Sequence, residues 1–586
     1  MKGKSIKLFM WGYQPHFRFE IEFCMNEVMK KFGVSEAGVE CLLVGARIPG
    51  HQNPNGICVE PEDGKWPVTL FDGLLDTIEQ EVLTHPLQKM FYSDGPSMQD
   101  KPGNIRRDVV RIAVQKALDT YDTEHAVRSF AGMPAPVNDH YVVPVIQLPD
   151  ELFERFHVLR EPISDGYVTG HPSLIHAAVS AVLAEAYDEL LRPDPGRNSG
   201  RQMRSSKEVV LRAAESFMST LRVITNPKGY GAPNLFERFN LISSLMYEGT
   251  EGTGRLLLAK PESKSANILL KFAEPISFRE PRWCRKVLQM ALSETALVAD
   301  CERIFGLGTV AAGIDPWVSQ DTFEIEFIEH YHWRLLCGEK VMLVSRHGSP
   351  SLPQEKFSQS RLLDIYQRLF PKATKEDAAN FILLFKAAVK QHHGSMLIIA
   401  EDAEAEADRL RSQGTKIEPT RLTPDFYCHA SAIDGAIIID PCSVCHAIGV
   451  ILDGPACPGN TPSRGSRYNS GIQYVNATDT SRLAIVVSDD GTVDVVPLLR
   501  PQIKRSAINK AITNLEAANK DNYHSAVNWL DKHRFYLSQV QCDRVNAALE
   551  RIRDEPRETG EFWRIWSKFL THPEMNDSYF ESEVTN

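Results

Sequence analysis

The sequence predicts a multidomain α/β protein that ends in a small helical bundle. Three observations carry that prediction. At 586 residues the chain has room for roughly three to four domains. Its 43% hydrophobic and 24% charged content is ordinary for a globular chain. Short apolar runs with strand patterning alternate with helical periodicities up to about residue 503, and only helical patterns follow.

Charge and cysteine usage narrow the class. Lys plus Arg number 65 against 76 Asp plus Glu, a net charge of −11. That argues against a nucleic-acid or anionic-membrane partner and leaves room for a small basic pocket. Eleven cysteines are scattered, with Cys24, Cys41, Cys284, Cys301 and Cys337 in apolar contexts, as in a reduced compartment. The opening MKGKSIKLFMWGYQPHF lacks the apolar core of a signal peptide, and no run approaches the ~18 apolar residues of a membrane span. A cytoplasmic protein is expected.

Residues 1–230 read as an N-terminal α/β region. Helical periodicity covers 107–121, and YVVPVIQL (141–148) is a strand interrupted by Pro144. Ser173 is placed to cap a helix through Leu191. A Pro/Gly loop follows (192–201), then a helix over 207–223. Residues 231–350 read as a second α/β domain. It holds a strand from Gly254, a helix over 281–292, and strands ALVAD and RIFGLG. FEIEFIEHYHWRLL alternates over Phe323, Ile325 and Phe327, the period of a half-buried strand. VMLVS (341–345) is an edge-like run.

The third region spans 351–503. Thr374-Lys-Glu-Asp377 resembles a capping box with Asp in the usual Glu place. The helix behind it buries Ala378, Phe381, Ile382, Phe385, Ala388 and Val389, and is expected to end at His393-Gly394. MLIIA (396–400) is a buried strand, and 403–414 a short acidic helix. The tail, 504–586, carries four helical stretches, the last EFWRIWSKFL (561–570), with short loops that imply antiparallel packing.

One internal echo links the second and third regions. Gly254-Arg-Leu-Leu-Leu resembles Gly394-Ser-Met-Leu-Ile, and Ala296-Leu-Val-Ala-Asp300 resembles Ala436-Ile-Ile-Ile-Asp440, both at an offset of 140. The second region then repeats the third, with Glu294-Thr295 where the third has Asp434-Gly435, and reads as a sensor or scaffold. The alternative is chance likeness between buried strands.

The chemistry concentrates in Ser431–Val496. Asp434 precedes the apolar strand from Ala436, so its carboxylate can reach a crevice at the sheet end, where ligands in open α/β sheets sit. Gly435 removes a side chain where a ribose or base would approach, and Ala436 keeps the next position small. By itself Asp-Gly before a strand is commonly a turn. Arg464-Gly465-Ser466-Arg467-Tyr468-Asn469-Ser470-Gly471 follows. It supplies exposed amides and a guanidinium fork for phosphate, with a helix start near Ser470 adding partial positive charge. Ser488-Asp489-Asp490-Gly491 then closes an apolar strand. It is either a tight turn or a second carboxylate for a divalent cation.

Together these stretches, with the entry strand HGSMLIIAEDAEAEADRL, resemble the diadenylate cyclase (DAC) domain family over about His393–Pro497. A Gly-Ser-Arg stretch stands where that family has Gly-Thr-Arg-His-Arg, and VVSDD where it has a Ser-Glu-Glu type sequence. WRLLCGEKVMLVSRHGSPSLP resembles the linker of larger members that carry an N-terminal sensor region. The resemblance implies a DAC-like mixed β-sheet flanked by helices. It also implies condensation of two ATP into cyclic di-AMP and two pyrophosphates by two DAC domains facing each other in a homo-oligomer. Asp434 would bind Mg²⁺ or Mn²⁺ and help activate the 3′-hydroxyl, with Asp489 or Asp490 aiding the metal. Gly435 and Ala436 would line the nucleoside pocket. Ser466 and Arg467 would hold phosphates, flanked by Gly465, Tyr468, Asn469 and Ser470. The family's Arg-His-Arg is Arg467-Tyr468-Asn469 here, which removes an imidazole and a charge. Arg464 is placed to compensate. The alternative is a degenerate DAC-like domain that senses a nucleotide or cyclic dinucleotide without turnover.

Other signals are weaker. Cys442-Ser-Val-Cys445-His446 with Cys457 lacks a second pair at zinc spacing. Glu329-His330-Tyr331-His332 puts two histidines on one strand face, a structural pair before it is a ligand site. The tail aromatics fall at helical spacing and read as core.

Overall fold

Apolar runs of the sequence form three separate sheets, and the last of them positions the chemistry-bearing residues. The structure, a computed structural model, describes residues 7–34, 37–62, 65–160, 170–197, 204–226, 233–260, 263–291, 295–353, 357, 359–391, 394–455, 465–488, 493–520, 523–555, 566–573 and 575–581. The chain makes two compact units, one before and one after about residue 354.

In the first unit an antiparallel sheet is built from β1 (Glu40–Arg47), β2 (Ile57–Glu60), β3 (Val127–Ala131), β4 (Ala135–Val137) and β5 (His140–Pro149). Helices α1 (Gln14–Lys31), α5 (Leu174–Leu190) and α6 (Ser206–Thr225) bury Cys41, Leu43 and Ile146 on one face. On the other, α2 (Leu74–Thr84) and α3 (Gly95–His125) bury Leu42, Val44 and Val145; the short α4 (Asp150–Arg155) follows β5. Covering both faces explains why β1 and β5 are apolar throughout. Pro144 does not interrupt β5, because β3 pairs from Val145 onward and β4 only up to Val142. Its missing N–H falls in that gap, where its carbonyl accepts from Gly132 N. Ser173 caps α5 as expected.

His176, on the first turn of α5, packs against Phe130 and Phe153, and burial pushes its imidazole down to about 4. The native state therefore holds it neutral, while the unfolded chain protonates it below its ordinary 6.5. The first unit is expected to keep this contribution in full above pH 6.5 and lose it as pH falls toward 4, by about 3 kcal/mol at most. Urea titrations across that range check it: His176→Phe should flatten the slope, and an unchanged slope would refute the assignment.

The same unit continues with α7 (Leu235–Ser244), β6 (Gly254–Ala259), β7 (Ala266–Ser277), α8 (Pro281–Leu288), β8 (Ala296–Ala299), β9 (Arg303–Val310), α9 (Pro316–Ser319), β10 (Thr322–Glu329), β11 (His332–Cys337), β12 (Lys340–Arg346) and β13 (Ser349–Ser351). Its sheet order is β13-β12-β11-β10-β6-β8-β9-β7. FEIEFIEHYHWRLL is a hairpin, not one strand: it turns at His330-Tyr331, with Tyr331 in the left-handed region (φ 58°). The run 341–345 pairs with β11 and is covered on its other side by β13 only at Val344 and Ser345, and α8 stops at Leu288. One hydrophobic cluster runs from Met10 to Leu352 through both sheets of this unit.

In the second unit the elements are α10 (Gln359–Leu369), α11 (Lys375–Lys390), β14 (Ser395–Ala400), α12 (Ala403–Arg409), β15 (Thr415–Arg421), α13 (Pro424–Ala430), β16 (Ala436–Ile439), β17 (Val444–Val450), α14 (Ser466–Val475), β18 (Arg482–Val487) and β19 (Val493–Val496). The Thr374/Asp377 capping box forms as expected. Residues 392–393, expected to end α11, lie outside the described residues. The sheet is mixed, ordered β15-β17-β16-β14-β18-β19, with β14 and β16 parallel and the other pairs antiparallel. α10, α11 and α13 cover one face, and α12 and α14 the other.

The tail follows with α15 (Arg505–Ala517), α16 (His524–Lys532) and α17 (Gln539–Arg553). Within the fourth expected helix the described residues 566–570 are not helical. The reason is competition for the backbone. Asn546 of α17 bonds both the N–H and the C=O of Phe569, and Arg534 takes the carbonyls of Ser567 and Lys568.

Two sheets share one plan. The order β7-β9-β8-β6-β10-β11 matches β15-β17-β16-β14-β18-β19, strand for strand and with the same parallel pair. Leu256, Leu258, Leu297 and Ala299 share one face, as do Leu397, Ile399, Ile437 and Ile439. The β8/β16 offset is therefore 140, but β6/β14 align at 141 (Leu256 with Leu397), because a one-residue slip would turn the strand inside out. Among the described residues no helix is long and apolar enough to cross a membrane.

Candidate functional site

Strand directions bring three separated stretches to one end of the third sheet. Ala436, which opens β16, pairs with Met396 at the start of β14 and with Val450 at the end of β17. Val487, which ends β18, pairs with Ser395. Asp434 and Ser488 therefore lie at the same end. That end holds the amino termini of the parallel pair and the carboxyl termini of antiparallel β17 and β18, not the carboxyl ends expected of a doubly wound sheet. Tyr427 of α13 secures this end by donating its hydroxyl to Ser395 Oγ at 2.9 Å, both side chains buried.

Arg467 reaches the same point across 33 residues of sequence. Its Nη2 donates to Asp434 Oδ1 at 2.9 Å. The Asp434 side chain is 90% exposed, so the pair contributes about 0–1 kcal/mol to stability and its carboxylate stays accessible. The Gly-Ser-Arg stretch is no loop. α14 begins at Ser466, four residues before the expected start, with Gly465 at the N-cap and no side-chain cap. Ser466, Arg467, Tyr468 and Asn469 thus make its first turn, where the helix offers amides and partial positive charge. Gly465 and Ser466 are exposed and Arg467 to Ser470 half-buried. The expected Arg464, Asp489 and Asp490 lie outside the described residues.

The glycine of the Asp-Gly-Ala stretch has an internal reason to be there. Gly435 holds φ 115°, and a Cβ on it would meet the Gly449 carbonyl carbon at 2.5 Å and Val450 N at 2.8 Å. Gly449 is itself left-handed (φ 62°). The two glycines let β16 and β17 close at a bulge, so the space that a side chain on Gly435 would take holds backbone. Ala436 is fully buried among Met396, Ile438 and Val450.

An exposed carboxylate is a hard oxygen donor suited to Mg²⁺ or Mn²⁺. No group of three His, Cys, Asp or Glu stands together at metal range among the described residues. A cation at Asp434 would draw its other ligands from phosphate oxygens and water. The Cys442/Cys445 pair sits at the β16–β17 turn. There Asp440 accepts from Val444 N and faces His446 at 3.3 Å, and burial pushes the Cys445 thiol up to about 12. Cys457 lies outside the described residues. His330 occupies the β10–β11 turn, so the two histidines do not share a strand face; His332 pairs with Glu329 at 2.9 Å and accepts from Arg346.

Sequence reasoning missed the charge chain on α12. Asp402, Glu406 and Arg409 recur at i, i+4 and i+7, a one-face spacing that was legible; Arg482 opens an otherwise apolar strand.

Comparison with known proteins divides the chain in three. Residues 10–218 match the family described as probable sensor domain DACNG, and residues 233–339 match probable sensor domain DACNH. Residues 385–497 match DAC, described as DisA bacterial checkpoint controller nucleotide-binding. No curated protein matches the chain. Among solved structures it is similar to a double mutant of DacA from Staphylococcus aureus, at 17% identity over 21% of this chain and 83% of that one, with a TM-score of 0.18. It is also similar to a hypothetical membrane spanning protein from Bacillus cereus, at 17% identity over 22% of this chain and 63% of that one, with a TM-score of 0.18.

Proposed function

We propose that this chain, which carries a DAC domain behind probable sensor domains of the DACNG and DACNH types, is a diadenylate cyclase controlled by its N-terminal region. The observation that carries the reading is the meeting of Asp434 and Arg467 at one sheet end, beside the uncapped start of α14. Two ATP would be held by two DAC domains facing each other in a homo-oligomer. Each 3′-oxygen forms a bond to the α-phosphorus of the other ATP as its proton leaves. Each α-phosphorus–oxygen bond to the β-phosphate breaks, releasing two pyrophosphates and cyclic di-AMP. The chain contributes positioning and charge neutralisation. Arg467 grips phosphate, the first-turn amides and Ser466 orient it, and Asp434 takes the cation. When bound, Mg²⁺ or Mn²⁺ would neutralise phosphate charge. Asp489 or Asp490 would assist.

Residues 231–350 fit the same reading as a degenerate repeat of the DAC domain (351–503). Thr295 precedes β8 where Gly435 precedes β16, and the four-residue α9 stands in the place of α14. Among the described residues this copy keeps the sheet and shows no long helix in the place of α14. The helical tail (504–586) is a separate small core.

Incubation with ATP and either cation, products read by mass spectrometry, tests the cyclase. Cyclic di-AMP supports it. ATP binding with no product favours the second reading, a nucleotide sensor, which Tyr468 and Asn469 in place of a cationic imidazole and Arg support. Tyr468→His is expected to raise turnover by about tenfold or more, since it restores a group that titrates near neutral pH. Initial rates at saturating ATP check this, and an unchanged rate would show that Tyr468 is no handicap.

A further inference from the structure

A chain of ion pairs runs along the α12 face of the DAC sheet and grips both flanks of the segment that carries Ser466 and Arg467. It begins at Arg482, whose side chain is 5% exposed. Its Nε and Nη2 donate to the two oxygens of Asp402 at 3.2 and 2.6 Å, and Nη2 stands 3.2 Å from Glu406 Oε1. Its Nη1 donates to the Tyr474 carbonyl at 3.3 Å, and the guanidinium lies 4.3 Å from the Tyr474 ring centre. Glu406, also buried, takes a two-pronged pair from Arg409 at 2.9 and 2.8 Å. Arg409 then makes a second two-pronged pair with Asp453, at 2.9 and 2.7 Å.

The end points matter. Asp453 lies just after β17, and Tyr474 lies in the last turn of α14. The residue after Asp453 presses on the same helix: a Cβ on Gly454 would meet the Gln473 carbonyl at 2.7 Å. Asp453 and Tyr474 are therefore both tied to α12, and Gly454 lies against Gln473 of α14. Two-pronged Arg–carboxylate pairs fix orientation as well as distance. Burial of Arg482 and Glu406 makes the chain intolerant of losing one member.

We propose that Arg409 and Arg482 are positioning residues of the nucleotide site, holding α14 and the end of β17 on α12 so that Arg467 stays within reach of Asp434. The nucleotide in this statement rests on the cyclase reading; the anchoring does not.

The test uses the full chain and the partly exposed end of the chain of pairs, where folding survives. Asp453→Asn breaks the Arg409–Asp453 link, and Arg409→Gln breaks that link together with the pair to Glu406. Each is expected to speed exchange of the hydrogen-bonded amides of α14, 469–475, by about tenfold while β14 exchanges at the wild-type rate. Each should also raise KM for ATP more than about tenfold, and the double variant should match Arg409→Gln, which already lacks the Asp453 link. Arg409→Lys, which restores a single prong, should recover part of the protection. Exchange at 469–475 that is unchanged, or that rises in step with β14, would overturn the proposal, as would additive effects in the double variant. A wild-type protein that makes no cyclic di-AMP would fail the cyclase reading alone, since the exchange experiment reads the anchoring without nucleotide.

Discussion

Asp434→Asn is expected to cut cyclic di-AMP formation by about two to three orders of magnitude while leaving the fold intact. The activity loss follows from removing the exposed carboxylate that meets Arg467 at the sheet end, and charge neutralisation supplies much of phosphoryl-type catalysis. The fold survives because the side chain is 90% exposed and its ion pair with Arg467 lies in solvent. Initial rates by mass spectrometry and a urea midpoint, both against wild type, check the two halves. A variant as active as wild type would remove Asp434 from the mechanism. A variant that has lost stability would mean the Arg467 pair holds the sheet end together.

Gly435→Ala should have the largest effect on stability of any single methyl added near the site. The backbone at φ 115° disfavours any side chain, and the new carbon meets backbone atoms at 2.5 and 2.8 Å that cannot rotate away. Strain and overpacking together are expected to cost about 3 kcal/mol or more. Gly465→Ala is the control. It sits at φ −63° with nothing within 4 Å, so its stability should fall by no more than about 1 kcal/mol, the N-cap preference for Gly over Ala. Equal midpoints for the two variants would show that β16 and β17 can part at the bulge without cost. Activity lost in Gly435→Ala then reports on the sheet end as a whole, not on contact with nucleotide.

Local signals were legible where chemistry lies in consecutive residues. Ser173 and the Thr374/Asp377 box cap their helices because a cap needs only neighbours along the chain. β14 and β16 read as apolar runs because both their faces are covered. β7 and β15 were not seen. Both are edge strands with most residues exposed, so burial imposes no alternation on them. Trp566–Leu570 has the composition of a helix, yet its carbonyls and amides are taken by Asn546 and Arg534 from elsewhere in the tail.

The sequence by itself determined the α/β class, which follows from short-range periodicity, and the residue types at the chemistry-bearing end, which lie in a compact run of motifs; the mixed sheet was expected from the resemblance those motifs carry. Only the tertiary structure decided that Arg467 meets Asp434 across 33 residues and that Gly435 answers to Gly449 across a bulge. It likewise decided that Arg482 and Arg409 tie α14 to α12. Each of these depends on strand register and on which face a helix turns inward. Pairing across the sheet sets those, and no spacing along the chain encodes them.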